Sequence, residues 1–460
     1  MKSNRVHTFK CTFSVLSIMC CILLLALTVS GEVRAYTASA TANRVVVSQA
    51  ESTLPANDTE NNISNNTTSP TKDTASPAND TKSSPGNTTT SSSAITSGGS
   101  VDVVTPPAVD IEDKVKTITI TAVGDIMTHK DNLNAAYNSK TKTYDFSDCF
   151  KYIAPELKNS DLVIGNFETV TAGLKAVYSS YPSFNTPDEL LKALAASDFD
   201  VLSTANNHCL DRGVAGLTRT IKQIQENGMT NVGSSIDGKN KYVTKEINGI
   251  KVSILAYTYA FNSNDSKLSQ KTKEQHLSPI NEAQIKKDIQ SVRSQGTDAV
   301  IVIMHWGNEY QRQPSTYQTT LAKKIFQWGG DIILGSHPHV VQKSEVMKIN
   351  GQNKYVIYSM GNIVSGYRRT DTGNRPNKIY TEDGVIVKLT IEKDTNNKVS
   401  IKTINHIPTW LDKYYVSGKP VFRILPIPSS DFKADYINSG NALKVKQSYK
   451  NTMDLMYKLK

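Results

Sequence analysis

Short apolar runs rich in β-branched residues recur along the chain, each closed by polar or glycine-containing segments. They are TITITAV (117 to 123), DLVIGNF (161 to 167), FDVLSTA (199 to 205), KVSILAY (251 to 257), AVIVIM (299 to 304), DIIL (331 to 334) and YVIYS (355 to 359). Runs of this length and punctuation predict buried strands. Segments of helical period lie between them. TPDELLKALAAS predicts a helix with Thr186 as its cap, Pro187 at the first helical position and Glu189 closing a capping box. Further helices are expected to end near Gly228, Gly296 and Gly329, where glycine supplies the left-handed terminal conformation. Strand and helix alternate, so the fold class is α/β. Later, DGVIVKLTIE (383 to 392) and KVSIKTINHI (398 to 407) predict a strand pair able to close one sheet, and residues 439 to 460 a terminal helix with a basic face.

The pattern before residue 114 is of another kind. Lys2, Arg5 and Lys10 precede an apolar stretch from 11 to 29, and VRA ending at Ala35 has the form of a small-residue cleavage site. The stretch approaches the ~20 residues that span a bilayer, so 1–36 reads as a signal anchor or a signal peptide. The expected location is the cell membrane, single-pass, with the folded domain extracellular, or secreted if the segment is cut. Residues 37–113 are rich in Ser, Thr, Asn and Pro, with PANDT at 55 to 59 and again at 77 to 81. Such a segment buries too little apolar surface to offset its ordering entropy and is expected to be a disordered linker. The folded domain is placed at 114–410 and a C-terminal extension with the terminal helix at 411–460.

Of 52 Lys and Arg and 42 Asp and Glu, 45 and 32 fall at or beyond residue 114, a net of +13 on the part that folds. A basic domain outside the membrane suits an anionic polymer or surface. No nucleic-acid-binding motif is present, and export argues against that class. Of five cysteines only Cys149 and Cys209 lie outside the apolar stretch, too few for a disulfide framework.

The residues after each strand carry the candidate chemistry. The runs lead into Gly124-Asp125, Gly165-Asn166-Phe167-Glu168, Asn206-Asn207-His208-Cys209-Leu210-Asp211, His305-Trp306-Gly307, Gly335-Ser336-His337-Pro338-His339 and Gly361-Asn362. In an open α/β sheet the loops at the carboxyl ends of strands share one edge, where ligands bind. In extended chain, positions i and i+2 face one side, and Pro338 disfavours a helical shape before it. His337 and His339 are therefore expected to present both imidazoles to one pocket from an extended segment. Imidazole, carboxylate and amide oxygen form a mixed ligand set suited to Zn, Mn or Fe.

AVGDIM, GNFET, ANNHCLDRG, HWGNEY, LGSHPHVVQ and YSMGN, in this order, closely resemble the CapA-type capsule synthesis (poly-gamma-glutamate synthesis) family over roughly 117 to 370. That family in turn resembles calcineurin-like metallophosphoesterases, which implies a four-layer α-β-β-α sandwich with a site for one or two divalent ions. The resemblance implies Asp125 as the first metal ligand, Glu168 as the bridging acid, Asn207 as the asparagine ligand, and His305, His337 and His339 as the others. It implies His208 as proton donor or transition-state stabiliser, Asp211 as a second catalytic residue, and Asn166, Asn206 and Asn362 as substrate-binding.

Two positions depart from the phosphoesterase pattern. Met127 stands where that motif has a histidine, and Glu168 where it has an aspartate. Four ligands (Glu168, Asn207, His305, His337) then serve one ion and three (Asp125, Glu168, His339) the other, so the second is expected to be held weakly or not at all. His129 reads as a surface or packing residue rather than a replacement, Cys209 as a small buried residue and His406 as structural. The implied function is a cell-surface role in poly-gamma-glutamate capsule synthesis or export, with an anionic polymer and other capsule synthesis proteins as partners. The alternatives are a metal-dependent hydrolase of a phosphoester or cell-wall amide bond, and a non-catalytic anionic-polymer binding protein.

Overall fold

The computed structural model describes residues 114–239, 241–372 and 374–457; the expected signal segment and linker lie outside the described residues. β1 (Lys116–Ile126) is followed by α1 (Lys130–Ala136), the hairpin β2 (Tyr137–Asn138) and β3 (Thr143–Tyr144), and the short helices α2 (Ser147–Phe150) and α3 (Ala154–Leu157). Next come β4 (Leu162–Phe167), α4 (Glu189–Ala196), β5 (Val201–Ser203), α5 (Gly213–Glu226) and β6 (Thr230–Val232). A second series runs β7 (Val243–Ile247), β8 (Ile250–Thr258), α6 (Gln270–His276), α7 (Glu282–Ser294), β9 (Ala299–His305), α8 (Thr316–Trp328), β10 (Ile332–Ser336), β11 (Ser344–Ile349) and β12 (Gln352–Ile357). The chain then forms β13 (Asn362–Val364), β14 (Asp383–Lys393), β15 (Val399–Val416), β16 (Lys419–Pro426) and α9 (Ala442–Met453).

Two sheets result. One has the order β16-β15-β14-β1-β4-β5-β6 with β13 beside β1, and the other β11-β12-β10-β9-β8-β7. β1, β4, β5 and β6 are parallel to one another, as are β8, β9, β10 and β12. One apolar cluster draws on both sheets, with Ile120, Ile164 and Val387 from the first beside Ile254, Ile301 and Leu334 from the second. A second packs the outer face of the first sheet against α1 to α5 through residues such as Phe150, Leu157, Leu190 and Ile224. A third packs the outer face of the other sheet against α7 and α8 through Ile289, Val292, Leu321 and Phe326. The architecture is therefore the four-layer α-β-β-α sandwich. Cover on both faces explains why β9 reads AVIVIMH without alternation and is buried throughout.

The helix signals succeed where they are local and fail where a neighbour competes. α8 has Ser315 accepting from the Gln318 N–H, and Gly329 at φ 114 as its left-handed C-cap. α4 differs from expectation: it starts at Glu189 behind Asp188, without a side-chain cap. The Thr186 hydroxyl lies 2.6 Å from that of Thr128 and 2.7 Å from that of Thr169, so tertiary partners take the group that would have capped the helix.

β14 and β15 form the expected antiparallel pair and close the first sheet. β15 runs on past residue 410, and β16 pairs with it to extend the same sheet. α9 settles on this edge, with Val445 in a cluster with Trp410, Leu425 and Ile427. His406, on β15, receives the Tyr355 hydroxyl at 2.8 Å on Nε2, and burial pushes its pKa down to about 4. Its neutral form is the folded form, so its contribution is complete above the ordinary histidine range and is lost as pH falls toward 4. Between pH 6.5 and 4 the parent should lose on the order of 2 kcal/mol that His406→Gln keeps. Thermal unfolding of both proteins across that window measures the difference, and equal slopes would refute the assignment.

Candidate metal centre

The carboxyl ends of β1, β4 and β5 in one sheet and of β9 and β10 in the other converge, and every expected site residue lies there. Pairing sets the rows: Asp125 stands opposite Asn166 on β4 and Asn362 on β13, and His305 opposite Ser336 on β10. Close approach of the β13 segment demands glycine at 124, where an added Cβ would lie 1.9 Å from the Gly361 carbonyl oxygen. That carbonyl accepts from the Asp125 N–H at 2.9 Å, which fixes the carboxylate at the sheet edge.

His337 and His339 share the pocket, but not by the expected extended geometry. β10 ends at Ser336, and the two histidines adopt φ 97 and φ 56, left-handed values on either side of Pro338. Such backbone stores on the order of 1–3 kcal/mol per residue and persists only where surroundings hold it. Here the His337 N–H donates to Asp125 Oδ2 at 3.2 Å, and the Pro338 carbonyl accepts from the Tyr310 N–H at 2.7 Å. The imidazole centroids end 5.8 Å apart.

Two overlapping ligand groups follow, Asp125–Glu168–His339 and Glu168–His305–His337, all buried, with their ligand atoms within 4.8 Å of one another in each group. His339 Nδ1 lies 3.2 Å from Asp125 Oδ2 and its Nε2 3.8 Å from Glu168 Oε1. His305 Nε2 lies 3.4 Å from the same Glu168 oxygen and 2.8 Å from Asn207 Oδ1, while Ser336 Oγ sits 2.9 Å from its Nδ1. Both Glu168 oxygens and His337 Nδ1 are buried with no hydrogen-bond partner among the described residues. Unpaired buried polar atoms are rare, and a carboxylate with neither oxygen satisfied fits a bound cation.

Electrostatics point the same way. Burial, then the charge of Asp125, pushes the Glu168 carboxyl well above its usual range. Burial also acts to raise Asp125, but the hydrogen bond and charge of His339, the charge of His305 and the Asn166 amide hold it below the usual range. Burial acts to lower His339, yet Glu168 and Asp125 lift it to about 9. Burial brings His305 down to about 3 and His337 well below its ordinary value, leaving both imidazoles neutral with lone pairs to give. A cation among these groups would favour the ionised Glu168 and take the place of the proton on His339.

His208 Nδ1 lies 2.8 Å from Asp211 Oδ2, and the same oxygen accepts from the Phe184 N–H at 2.7 Å. The Phe184 ring packs edge-on against His208, with centroids 4.7 Å apart. Asn166, Asn206 and Asn362, expected to bind substrate, are buried and give their amide hydrogens to protein acceptors. Asn166 donates to Asp125 Oδ1 at 2.8 Å, Asn206 to the Phe167 carbonyl at 2.8 Å, and Asn362 to the carbonyls of His339 and Thr381 at 3.1 and 3.0 Å.

Met127 packs with Phe184 and Tyr367. His129 is half-buried against the same two rings and accepts from the Gly366 N–H at 2.9 Å, outside both ligand groups. Cys209 is buried, and burial pushes its thiol up to about 12, which leaves it unreactive at neutral pH. One residue escaped sequence reasoning. Glu309, within HWGNEY, brings its carboxylate within 4.8 Å of His337 and His339. Its place in that motif was the available signal, but only the fold shows that the loop turns back over the histidines.

The family model described as "Bacterial capsule synthesis protein PGA_cap" matches residues 119–367. The capsule biosynthesis protein CapA of Bacillus anthracis is 35% identical over 265 residues, covering 55% of this chain and 61% of that protein. The match thus spans less than two thirds of that relative. The PGA biosynthesis protein CapA of Bacillus subtilis is 29% identical over 314 residues, covering 65% of this chain and 74% of its own. Among solved structures, the calcineurin-like phosphoesterase YfkN from Bacillus subtilis is similar at a TM-score of 0.41 and 16% identity, covering 74% of this chain and 99% of that one. The matched stretch holds every candidate ligand described above, and the chain belongs to the bacterial capsule synthesis protein family PGA_cap.

Proposed function

We propose that the protein is a membrane-anchored, surface-exposed component of poly-gamma-glutamate capsule synthesis or export whose basic domain engages the anionic polymer. The observation that carries this reading is the family match across the residues that bear the centre. The excess of 45 basic over 32 acidic residues from 114 onward supports an anionic partner. The test uses the full chain in detergent, taken from a membrane fraction that resists salt extraction. It should bind polyglutamate and not an uncharged polymer, and weaken steeply as salt rises, since exposed charges act over only ~8 Å at physiological ionic strength. Binding indifferent to salt, or none, would contradict this reading.

The unsatisfied Glu168 oxygens beside His305, His337 and His339 favour a second reading, a metal-dependent hydrolase acting on an amide or phosphoester bond. Asp125, Glu168 and His339 would hold one divalent ion, and Glu168, Asn207, His305 and His337 the other, with Mn, Zn or Fe suiting the donors. Such an ion brings bound water toward a pKa of ~7 and neutralises charge on substrate oxygens. Asp211 fixes His208 Nδ1, which leaves Nε2 to pass a proton to a leaving atom. Asn166 and Asn362 position Asp125 and the His339 loop rather than meeting substrate.

A further inference from the structure

Glu168 joins both ligand groups from the floor of the site, where it is wholly buried. Glu309 mirrors it from the solvent side, exposed on the loop after β9, with its carboxylate within 4.8 Å of ring nitrogens on His337 and His339, one histidine from each group. We propose that Glu309 is a metal ligand of this centre, giving the Asp125–Glu168–His339 ion the donor that Met127 fails to supply. The assignment rests on the metal reading above and extends it to a residue outside that ligand set.

The loop is built to hold the carboxylate there. The Trp306 N–H donates to the Ser336 carbonyl at 3.1 Å, which keeps the loop in line with β10 as it leaves the sheet. Gly307 then turns at φ 90, where a Cβ would meet the Gln318 side chain at 2.7 Å. The Tyr310 N–H, immediately after Glu309, donates to the carbonyl of Pro338, the residue between the two histidines. Asn377 Nδ2 donates to the Tyr310 carbonyl at 2.7 Å, and Gln342 Nε2 to the Gln311 carbonyl at 2.8 Å. Glu309 is thus tied on its C-terminal side to the backbone that carries both imidazoles. Both Glu168 oxygens, buried and without a hydrogen-bond partner among the described residues, are an independent sign that the Asp125–Glu168–His339 side of the pocket takes a cation. With Asp125 and Glu168, Glu309 makes the donor set rich in carboxylate oxygen, which suits Mn(II).

The test titrates the metal-stripped full chain with Mn(II) by calorimetry, with bound metal counted by elemental analysis. Glu309→Gln should bind the weaker ion at least ~tenfold less tightly than the parent while the firm ion is unchanged. Glu309→Asp keeps the charge but shortens the arm, and should also weaken that ion. Glu309 is exposed, so neither variant threatens the fold. If Glu309→Gln matches the parent in number and affinity of ions, the assignment is wrong. If Glu309→Asp matches the parent while Glu309→Gln does not, Glu309 acts only as a surface charge and the assignment again fails. A parent that binds no Mn(II) removes the underlying metal reading as well, which separates the two failures.

Discussion

Replacing His337 by alanine is expected to strip the firmly held ion and to lower the stability of the metal-saturated protein by about 4 kcal/mol when metal stands ~1,000-fold above its Kd. The imidazole is buried, its Nδ1 has no partner among the described residues, and it joins Glu168 and His305 in a cluster that could hold an ion. Its loss leaves that ion without one of its neutral nitrogen donors. The readout is the difference in melting temperature between parent and variant, which should be large with Mn, Zn or Fe present and shrink in chelator. His208→Ala provides the contrast. His208 pairs with Asp211 and belongs to neither ligand group, so metal content should stay close to that of the parent while any hydrolysis disappears. A parent that takes up no ion from Mn, Zn or Fe would end the metal centre and the hydrolase reading together.

Gly124→Ala is expected to destabilise the fold by about 3 kcal/mol or more, because overpacking against backbone has no flexible side chain to yield. The new Cβ would lie 1.9 Å from the Gly361 carbonyl oxygen, the acceptor of the Asp125 N–H. Relief requires β1 and the 361 segment to part, which breaks that hydrogen bond and shifts Asp125 within its ligand group. Loss of stability should therefore be accompanied by weaker metal binding in whatever protein remains folded. Gly228→Ala calibrates the effect. It has φ 80 but nothing within 4 Å of an added Cβ, so it should cost only about 1 kcal/mol. Gly124 has no left-handed φ, so denaturant unfolding of the two variants isolates the steric contact, and similar losses would show that the close approach does not govern position 124.

Much of the fold was legible in short windows. Each of the seven apolar runs contains a strand, because a strand covered on both faces is predominantly apolar, which any local reading detects. Gly329 closes α8 by its own backbone freedom, a property carried by one residue. β7, β11 and β16 were not foreseen. VTKEI and SEVMKI are only partly buried edge strands with weak apolar patterns, and KPVFRILP becomes a strand by pairing with β15 across a tight turn.

The candidate site was legible in the same way, since Asp125, Glu168, Asn207, His305, His337 and His339 each stand at or just beyond the end of an apolar run. The family resemblance implies two groups sharing Glu168, and the structure gathers Asp125, Glu168 and His339, and Glu168, His305 and His337, as clusters that could hold an ion. The backbone that achieves this was not readable. The i, i+2 spacing of the histidines suggested extended chain, but left-handed φ at both positions is imposed by contacts from Asp125 and Tyr310, which lie far from them along the chain.

The sequence by itself determined which buried segments become strands, which chemical groups stand at their ends, and the excess of basic over acidic residues from 114 onward. These follow from local periodicity and residue identity, which act over a few neighbouring positions. The tertiary structure alone decided that Thr186 leaves its helix to join Thr128 and Thr169, that three asparagines face protein instead of solvent, and that Glu309 returns over His337 and His339. Each depends on which segments distant in sequence share a hydrogen bond or a packing contact. Sheet order and loop closure settle that pairing, and no short stretch of chain encodes it.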